Sequence, residues 1–209
     1  MKSPEIRLHL LRHAETVMNV DHHLIGGQSN ETSITWRGVV QAINLGNYML
    51  MNNIKPNEVY TSTAYRAQQT AYFMLKTMGI WGDVPISEHE AFLELSQGRA
   101  EGKPRDSIYT PEVLEQIAIR GKDFKLPGGE SMNEVAKRAG EGINTVLSDV
   151  HDDRTIFIVM HGGTIKYIVG ELSGWSHEQT YRTPIDNCSD TLLVGRPGDW
   201  RLEYINKVD

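Results

Sequence analysis

The chain has 209 residues, enough for one sizeable core or at most two small ones, and its composition, 39% hydrophobic and 23% charged, is that of an ordinary globular protein. Its net charge of -6, with scattered lysines and arginines, argues against a nucleic-acid partner, because such partners require a basic face. No segment approaches the ~20 apolar residues of a membrane span, and the N-terminal MKSPEIRLHLLRH lacks the apolar run of a signal peptide.

The first half of the chain alternates between strand and helix patterns. Thr35 suits the N-cap of the first helix, and Gly79 is a typical residue just after the end of the second. The loop that follows the third predicted strand is long enough to suggest a function. The patterns predict strands at 6–11, 58–62 and 85–92, helices at 39–51 and 65–78, and a loop at 93–110.

The second half continues the alternation and ends in a hairpin. The strand at 155–160 is the clearest of all, because it is short, apolar and rich in β-branched residues. One helix is predicted at 111–121, a second directly after the turn at 127–129, and a third at 162–174. The other predicted elements are the strand at 155–160 and a hairpin at 189–205. This order predicts an α/β fold: one three-layer domain over residues 1–209, with a mostly parallel central sheet flanked by helices on both faces.

Reactive side chains follow three of the predicted strands. Arg12 and His13 come after the first strand, Arg66 follows the second, and His161 comes directly after the strand at 155–160. The carboxyl ends of parallel strands meet at one edge of a sheet, so we expect these side chains to lie close together. Arginine offers planar, permanently charged donors that match phosphate oxygens. The sequence therefore predicts a phosphate pocket.

Other motifs favour an anion over a metal at this edge. Gly162 and Gly163 at the start of a helix let backbone N–H groups approach an anion closely. No His-x₃-His or Cys-x₂-Cys spacing suggests a zinc site, and no P-loop motif is present. Cys188 is the single cysteine, which rules out an internal disulfide and favours a reducing, cytoplasmic location.

Five short blocks resemble the motifs of the histidine phosphatase superfamily, also called the phosphoglycerate mutase-like family. They are LLRHAETVMN (10–19), VYTSTAYRAQQTA (59–71), FLELSQGRAEG (92–102), GGESMNEVAKR (128–138) and VMHGGTIK (159–166). Each block alone is a weak signal, whereas five blocks in the family's order form a specific one. The resemblance implies a phosphoglycerate mutase-like fold and phosphoryl-transfer chemistry.

The resemblance also implies roles for individual side chains. His13 would attack phosphorus and form a phosphohistidine, while Arg12, Arg66 and His161 would hold the phosphoryl oxygens. Glu94 would give its proton to the leaving oxygen. No metal and no cofactor are expected, because the arginines and the second histidine supply the positive charge. The further candidates for substrate binding are Asn19, Gly26, Gly162, Arg99 and Lys103.

Three functions remain open at this stage. We prefer a phosphomonoester hydrolase, because only 34 residues separate Glu94 from Gly129, where cofactor-dependent phosphoglycerate mutases carry a long extra segment. The alternatives are a mutase-type phosphotransferase and a non-catalytic phosphate-binding module. The expected partner is a small phosphorylated metabolite with further negative charge, because Arg99, Lys103 and Arg105 follow Glu94; a solvated charged loop is the alternative. A homodimer is one of the assemblies that the sequence allows.

Overall fold

A six-stranded sheet forms the centre of the fold. The computed structural model describes residues 5–21 and 23–208, so the start of the N-terminal stretch discussed above lies outside the described residues. The strands are β1 (Ile6–Arg12), β2 (Glu58–Thr61), β3 (Ile86–Glu88), β4 (Arg154–Met160), β5 (Asp190–Arg196) and β6 (Asp199–Lys207). Their order is β3-β2-β4-β1-β5-β6, with the first four parallel and the terminal hairpin antiparallel.

Helices cover both faces of this sheet. They are α1 (Val17–Val20), α2 (Trp36–Met51), α3 (Tyr65–Met78), α4 (Arg105–Ile108), α5 (Pro111–Arg120), α6 (Met132–Val146), α7 (Gly162–Leu172) and α8 (His177–Arg182). Apolar side chains of α2 and α3 pack on one face, and those of α6 and α7 pack on the other. The predicted three-layer α/β fold is therefore confirmed, and the assignment of all 209 residues to one domain stays a prediction. No helix within the described residues is long and apolar enough to cross a membrane.

The predicted helix ends have clear local causes. The Thr35 hydroxyl accepts a hydrogen bond from Gly38 N at 3.0 Å, which caps α2 as expected. Gly79 ends α3 with φ +72, a left-handed conformation that glycine adopts without strain. Ser131 and Glu134 form a reciprocal capping box at the start of α6.

The predicted strand at 85–92 is wrong in its second half. The strand ends at Glu88, and residues 90–92 form a 3₁₀ turn. The His89 ring accepts a hydrogen bond from Ala91 N at 3.0 Å, and the turn buries Phe92 completely against α6. Local apolar composition could not distinguish this turn from a strand. The predicted loop at 93–110 likewise contains a 3₁₀ turn and helix α4.

The register of the sheet brings three polar junctions together. Arg12 at the end of β1 pairs with Met160 at the end of β4, and His13 N donates to Met160 O at 2.9 Å. On the other side of β4, Ser62 N donates to Val159 O at 2.9 Å. The residues that follow β1, β2 and β4 therefore meet at one edge of the sheet.

Candidate active site

The strand ends meet at a polar cavity of about 430 Å³. Six of the predicted site residues line it: Arg12, His13, Asn19, Gly26, Arg66 and Glu94. His161 and Gly162 lie next to it, His161 with its ring centroid 5.1 Å from that of His13 and Gly162 beside the Arg12 side chain. Arg99 and Lys103 are exposed and do not line this cavity.

The His13 ring is buried and held in one tautomer. Its Nδ1 lies 2.8 Å from the carbonyl oxygen of Ala14, which can only accept, so the proton is on Nδ1. Burial, followed by the positive charges of Arg66 and Arg12, holds the pKa of His13 well below its ordinary value of 6.5. The ring is therefore neutral near pH 7, with a lone pair on Nε2.

Arg12 brings a partly buried guanidinium to the cavity. Its Nη1 donates to Ile185 O at 2.6 Å, whereas its buried Nε has no hydrogen-bond partner among the described residues. A Cβ at Gly162 would lie 3.1 Å from this Nε, so the glycine leaves the space in which the guanidinium sits. This N–H donor is available to an oxygen acceptor, such as that of a phosphoryl group.

Arg66 ties two segments of the site together. Its Nη1 donates to Ser29 O at 2.8 Å and its Nη2 to Gly27 O at 3.2 Å, which holds the loop around Gly26 over the cavity. Its Nε donates to His161 Nδ1 at 3.3 Å. Desolvation by burial lowers the pKa of this arginine, but a guanidinium remains charged near neutral pH.

Both ring nitrogens of His161 have protein partners. Nδ1 accepts from Arg66, so the proton is on Nε2, which lies 2.8 Å from Ser62 Oγ and donates to it. Burial, followed by the charge of Arg66, holds the pKa of His161 well below its ordinary value. In this arrangement His161 orients Arg66, and its direct contact with a phosphoryl group stays a prediction.

Glu94 occupies the N-terminus of α7. Its Oε2 accepts from Gly163 N at 3.0 Å, and its Oε1 accepts from Thr164 N at 3.1 Å and Leu95 N at 2.9 Å. A Cβ at Gly163 would overlap the Glu94 carboxylate. The two glycines therefore admit the Arg12 and Glu94 side chains. The prediction that this helix terminus faces a phosphate is corrected for Gly163 and Thr164, whose N–H groups donate to Glu94, and substrate contact by Gly162 stays a prediction.

Comparison with known proteins identifies the family. The model of the histidine phosphatase superfamily (branch 1) matches residues 8–208. The chain belongs to this superfamily. This confirms the resemblance carried by the five motif blocks, and it agrees with the predicted enzyme class, a phosphoric monoester hydrolase.

Relatives of this superfamily member include both mutases and phosphatases. A 2,3-bisphosphoglycerate-dependent phosphoglycerate mutase from Brucella anthropi is 26% identical over 202 residues, 95% of this chain and 93% of the mutase. A putative alpha-ribazole-5'-P phosphatase from Escherichia coli is 25% identical, with a TM-score of 0.78 over 97% of this chain and 96% of that one. A mycobacterial glucosyl-3-phosphoglycerate phosphatase in complex with VO3 is 25% identical, with a TM-score of 0.79 over 96% of this chain and 98% of the phosphatase.

The mutase match corrects one argument made from the sequence. Because the chain spans nearly the whole length of the Brucella anthropi mutase, the short segment after Glu94 does not separate phosphatases from mutases. The preference for hydrolysis depends instead on the phosphatase structures among the similar proteins.

Asn187 is a site residue of this superfamily member that sequence reasoning missed. Its Nδ2 donates to His13 O at 2.9 Å and to Asn19 Oδ1 at 3.2 Å, and it lines the cavity. Asn19 Oδ1 also accepts from Thr16 N at 3.0 Å. Asn187 lies in an irregular segment far along the chain, so no local pattern indicated that it contacts His13.

The basic run after Glu94 reaches the cavity through a residue other than the two selected as candidates. Arg99 N donates to Pro127 O at 3.2 Å, and the Arg99 and Lys103 side chains are exposed. Arg105, at the start of α4, lines the cavity. The sequence located the basic segment, but it could not show which of its side chains lines the cavity.

Proposed function

We propose that the protein is a phosphoric monoester hydrolase that works through a phosphohistidine on His13. The observation that carries the proposal is the state of the His13 ring. Ala14 O holds the proton on Nδ1, and burial together with two arginines keeps the ring neutral, so Nε2 offers a lone pair for attack on phosphorus. Arg12 and Arg66 supply positive charge where the transferring phosphoryl group develops negative charge.

The reaction divides into two transfers at one nitrogen. In the first, the Nε2 lone pair of His13 forms the N–P bond, the P–O bond breaks, and its electron pair leaves with the alcohol oxygen. Glu94 gives that oxygen a proton. In the second, a water molecule attacks phosphorus and passes a proton to Glu94, while the N–P electron pair returns to His13. Dividing hydrolysis in this way replaces one difficult step with two easier ones.

The proposal includes activity without a metal ion. The guanidinium groups of Arg12 and Arg66 already line the cavity, and the described residues contain no cluster of three side chains suited to hold a metal. We expect hydrolysis of p-nitrophenyl phosphate to continue in excess EDTA and to be inhibited by vanadate. Loss of activity on chelation, restored by Mg²⁺ or Zn²⁺, would contradict metal independence.

A pair of histidine variants tests the catalytic role. We expect His13→Ala to abolish hydrolysis of every phosphomonoester, because each must pass through the same nitrogen. His151→Ala removes an exposed histidine far from the cavity and is expected to retain wild-type rates. Hydrolysis by the His13→Ala protein at the wild-type rate would refute the proposal, and a protein that binds phosphate without any turnover would favour the binding module.

Mutase activity is the second candidate, favoured by the similarity to the Brucella anthropi enzyme. A mutase must return the phosphoryl group to a second hydroxyl before water reaches it. Incubation with 3-phosphoglycerate and a bisphosphoglycerate primer separates the two functions. We expect release of inorganic phosphate, whereas conversion to 2-phosphoglycerate without phosphate release would establish the mutase.

The compartment and assembly of the protein stay predictions. A cytoplasmic location is proposed from the single cysteine, Cys188, which is buried in the structure. The homodimer that the sequence analysis kept open is tested by light scattering of the purified protein.

A further inference from the structure

A second cavity, of about 570 Å³, adjoins the polar one, with Arg105 lining both. Its walls are largely apolar and aromatic, with side chains contributed by α4, α5, α7, α8 and the segment between α5 and α6. The principal contributors are Tyr109, Leu114, Ile117, Phe124, Tyr167 and Tyr181. Cavities of this size and lining are typical of sites for small organic molecules.

This aromatic cavity lies on the side of Glu94, the proposed proton donor. Tyr167 follows Gly163, the backbone partner of the Glu94 carboxylate, by one turn of α7, a rise of about 5 to 6 Å. Leu95, which comes directly after Glu94, and Gln97 also line the aromatic cavity. Residues next to Glu94 in the chain, and the helix whose N–H groups hold its side chain, therefore both contribute to the wall of the aromatic cavity.

Large apolar side chains are left open to solvent at the cavity. Leu114 is 53% exposed and Tyr181 is 67% exposed, although both line it. A contiguous apolar patch, unlike a single exposed apolar residue, is a mark of ligand contact. At the junction of the two cavities, the Arg105 guanidinium lies 5.5 Å from the centre of the Tyr109 ring. A ligand with an anionic group near Arg105 and an apolar group near Tyr109 would therefore be accommodated.

We propose that the aromatic cavity binds the alcohol part of the substrate, and that the preferred substrates are phosphomonoesters whose alcohol carries an aromatic or long apolar group. This proposal rests on the hydrolase function proposed above. It assigns the phosphoryl group to the polar cavity and the apolar body to the aromatic one. Of the three basic residues from which further negative charge on the alcohol was expected, Arg99 and Lys103 line neither cavity, and Arg105 lines both.

Binding of two matched esters to the inactive His13→Ala protein tests the proposal. Butyl phosphate and 4-phenylbutyl phosphate have leaving oxygens of similar basicity and differ in the phenyl ring, so calorimetry reports the contribution of that ring. We expect the phenyl ester to bind at least about tenfold more tightly, since burial of an aromatic ring is favourable. Leu114→Ser and Tyr181→Ala, each combined with His13→Ala, are expected to bring the ratio of the two dissociation constants close to one.

Ile119→Ser, also combined with His13→Ala, is the matched control, because Ile119 is 69% exposed on the same helix as Leu114 and does not line the cavity. It should leave the ratio unchanged. Equal affinity for the two esters, or a ratio that survives both Leu114→Ser and Tyr181→Ala, would overturn the proposal. The hydrolase function is decided separately by phosphate release from either ester by the wild-type protein, so the two proposals can fail independently.

Discussion

Glu94 is the residue whose position says most about the chemistry of the site. Backbone N–H groups of α7 and of Leu95 orient its side chain in the polar cavity, and Leu95, the next residue, lines the aromatic one. A general acid matters in proportion to the basicity of the leaving oxygen, because a stable anion can depart without a proton. A proton donor at Glu94 therefore predicts activity losses that depend on the leaving group, which a purely structural role does not.

Glu94→Gln should therefore affect alkyl and aryl esters differently. We expect kcat/KM to fall by on the order of 10² to 10⁴-fold for alkyl phosphates and much less for p-nitrophenyl phosphate. Glutamine has one acceptor oxygen where backbone N–H groups now donate to two, so vanadate binding to the variant is the check that the site remains assembled. Steady-state kinetics on both ester classes measures the two losses. Equal proportional losses of kcat/KM would mean that Glu94 supports the site without donating a proton.

A substitution at Gly163 offers a second test of Glu94, because it displaces the Glu94 side chain without changing its chemical group. Its Cα leaves no room for a methyl group, so Gly163→Ala should displace the Glu94 carboxylate and reduce activity mainly on alkyl esters. Gly140→Ala is the matched control, because a Cβ at Gly140 in α6 meets no atom within 4 Å and the substitution favours a helix. Parallel assays of both variants should show the loss only at Gly163; an unaffected Gly163→Ala enzyme would exclude this account of Glu94.

At the scale of elements, periodic segments were predictable and irregular ones were not. The strand at 155–160 and the helix at 65–78 follow from composition and spacing, and both appear within one residue of the prediction. Helix α8 begins with a capping box of Ser176 and Gln179 that sequence reasoning missed, whereas the turn around Phe92 depends on packing against α6, which no local pattern records. For the same reason the sequence indicated Arg12, His13, Arg66 and His161 at strand ends but missed Asn187.

The start of α2 links a helix to the segment after the proposed nucleophile. The Thr35 hydroxyl accepts from Gly38 N and donates to Glu15 Oε1 at 2.8 Å. Thr35→Ala should lower the free energy of unfolding by about 0.5 to 2 kcal/mol, the usual cost of a lost N-cap. Urea unfolding measures this, with Thr35→Ser as the control that keeps the hydroxyl. Equal stability of the alanine and wild-type proteins would show that the cap contributes nothing.

For the whole molecule, the two buried histidines predict a dependence of stability on pH. His13 and His161 have folded-state pKa values well below 6.5, so below about pH 6.5 the unfolded chain binds protons that the folded protein does not. Stability is therefore expected to be complete above this pH and to fall as the pH decreases, by up to about 1.4 kcal/mol per pH unit for each histidine.

Urea unfolding at about pH 7.5 and pH 5.5 measures this loss of stability. The His13→Asn/His161→Asn protein should lose less of its free energy of unfolding between the two pH values than the wild-type protein. An identical loss in both proteins would mean that these histidines are not neutral in the folded state.

The central claim is that a phosphoryl group passes through His13, and trapping of that intermediate tests it most directly. The protein is mixed with a rapidly cleaved aryl phosphate, quenched in base, where phosphohistidine is stable, and digested for mass spectrometry. The account predicts one added phosphoryl group on the peptide that contains His13, labile to acid and absent from His13→Ala. Turnover with no trapped phosphohistidine under single-turnover conditions, or with the phosphoryl group on another residue, would contradict it.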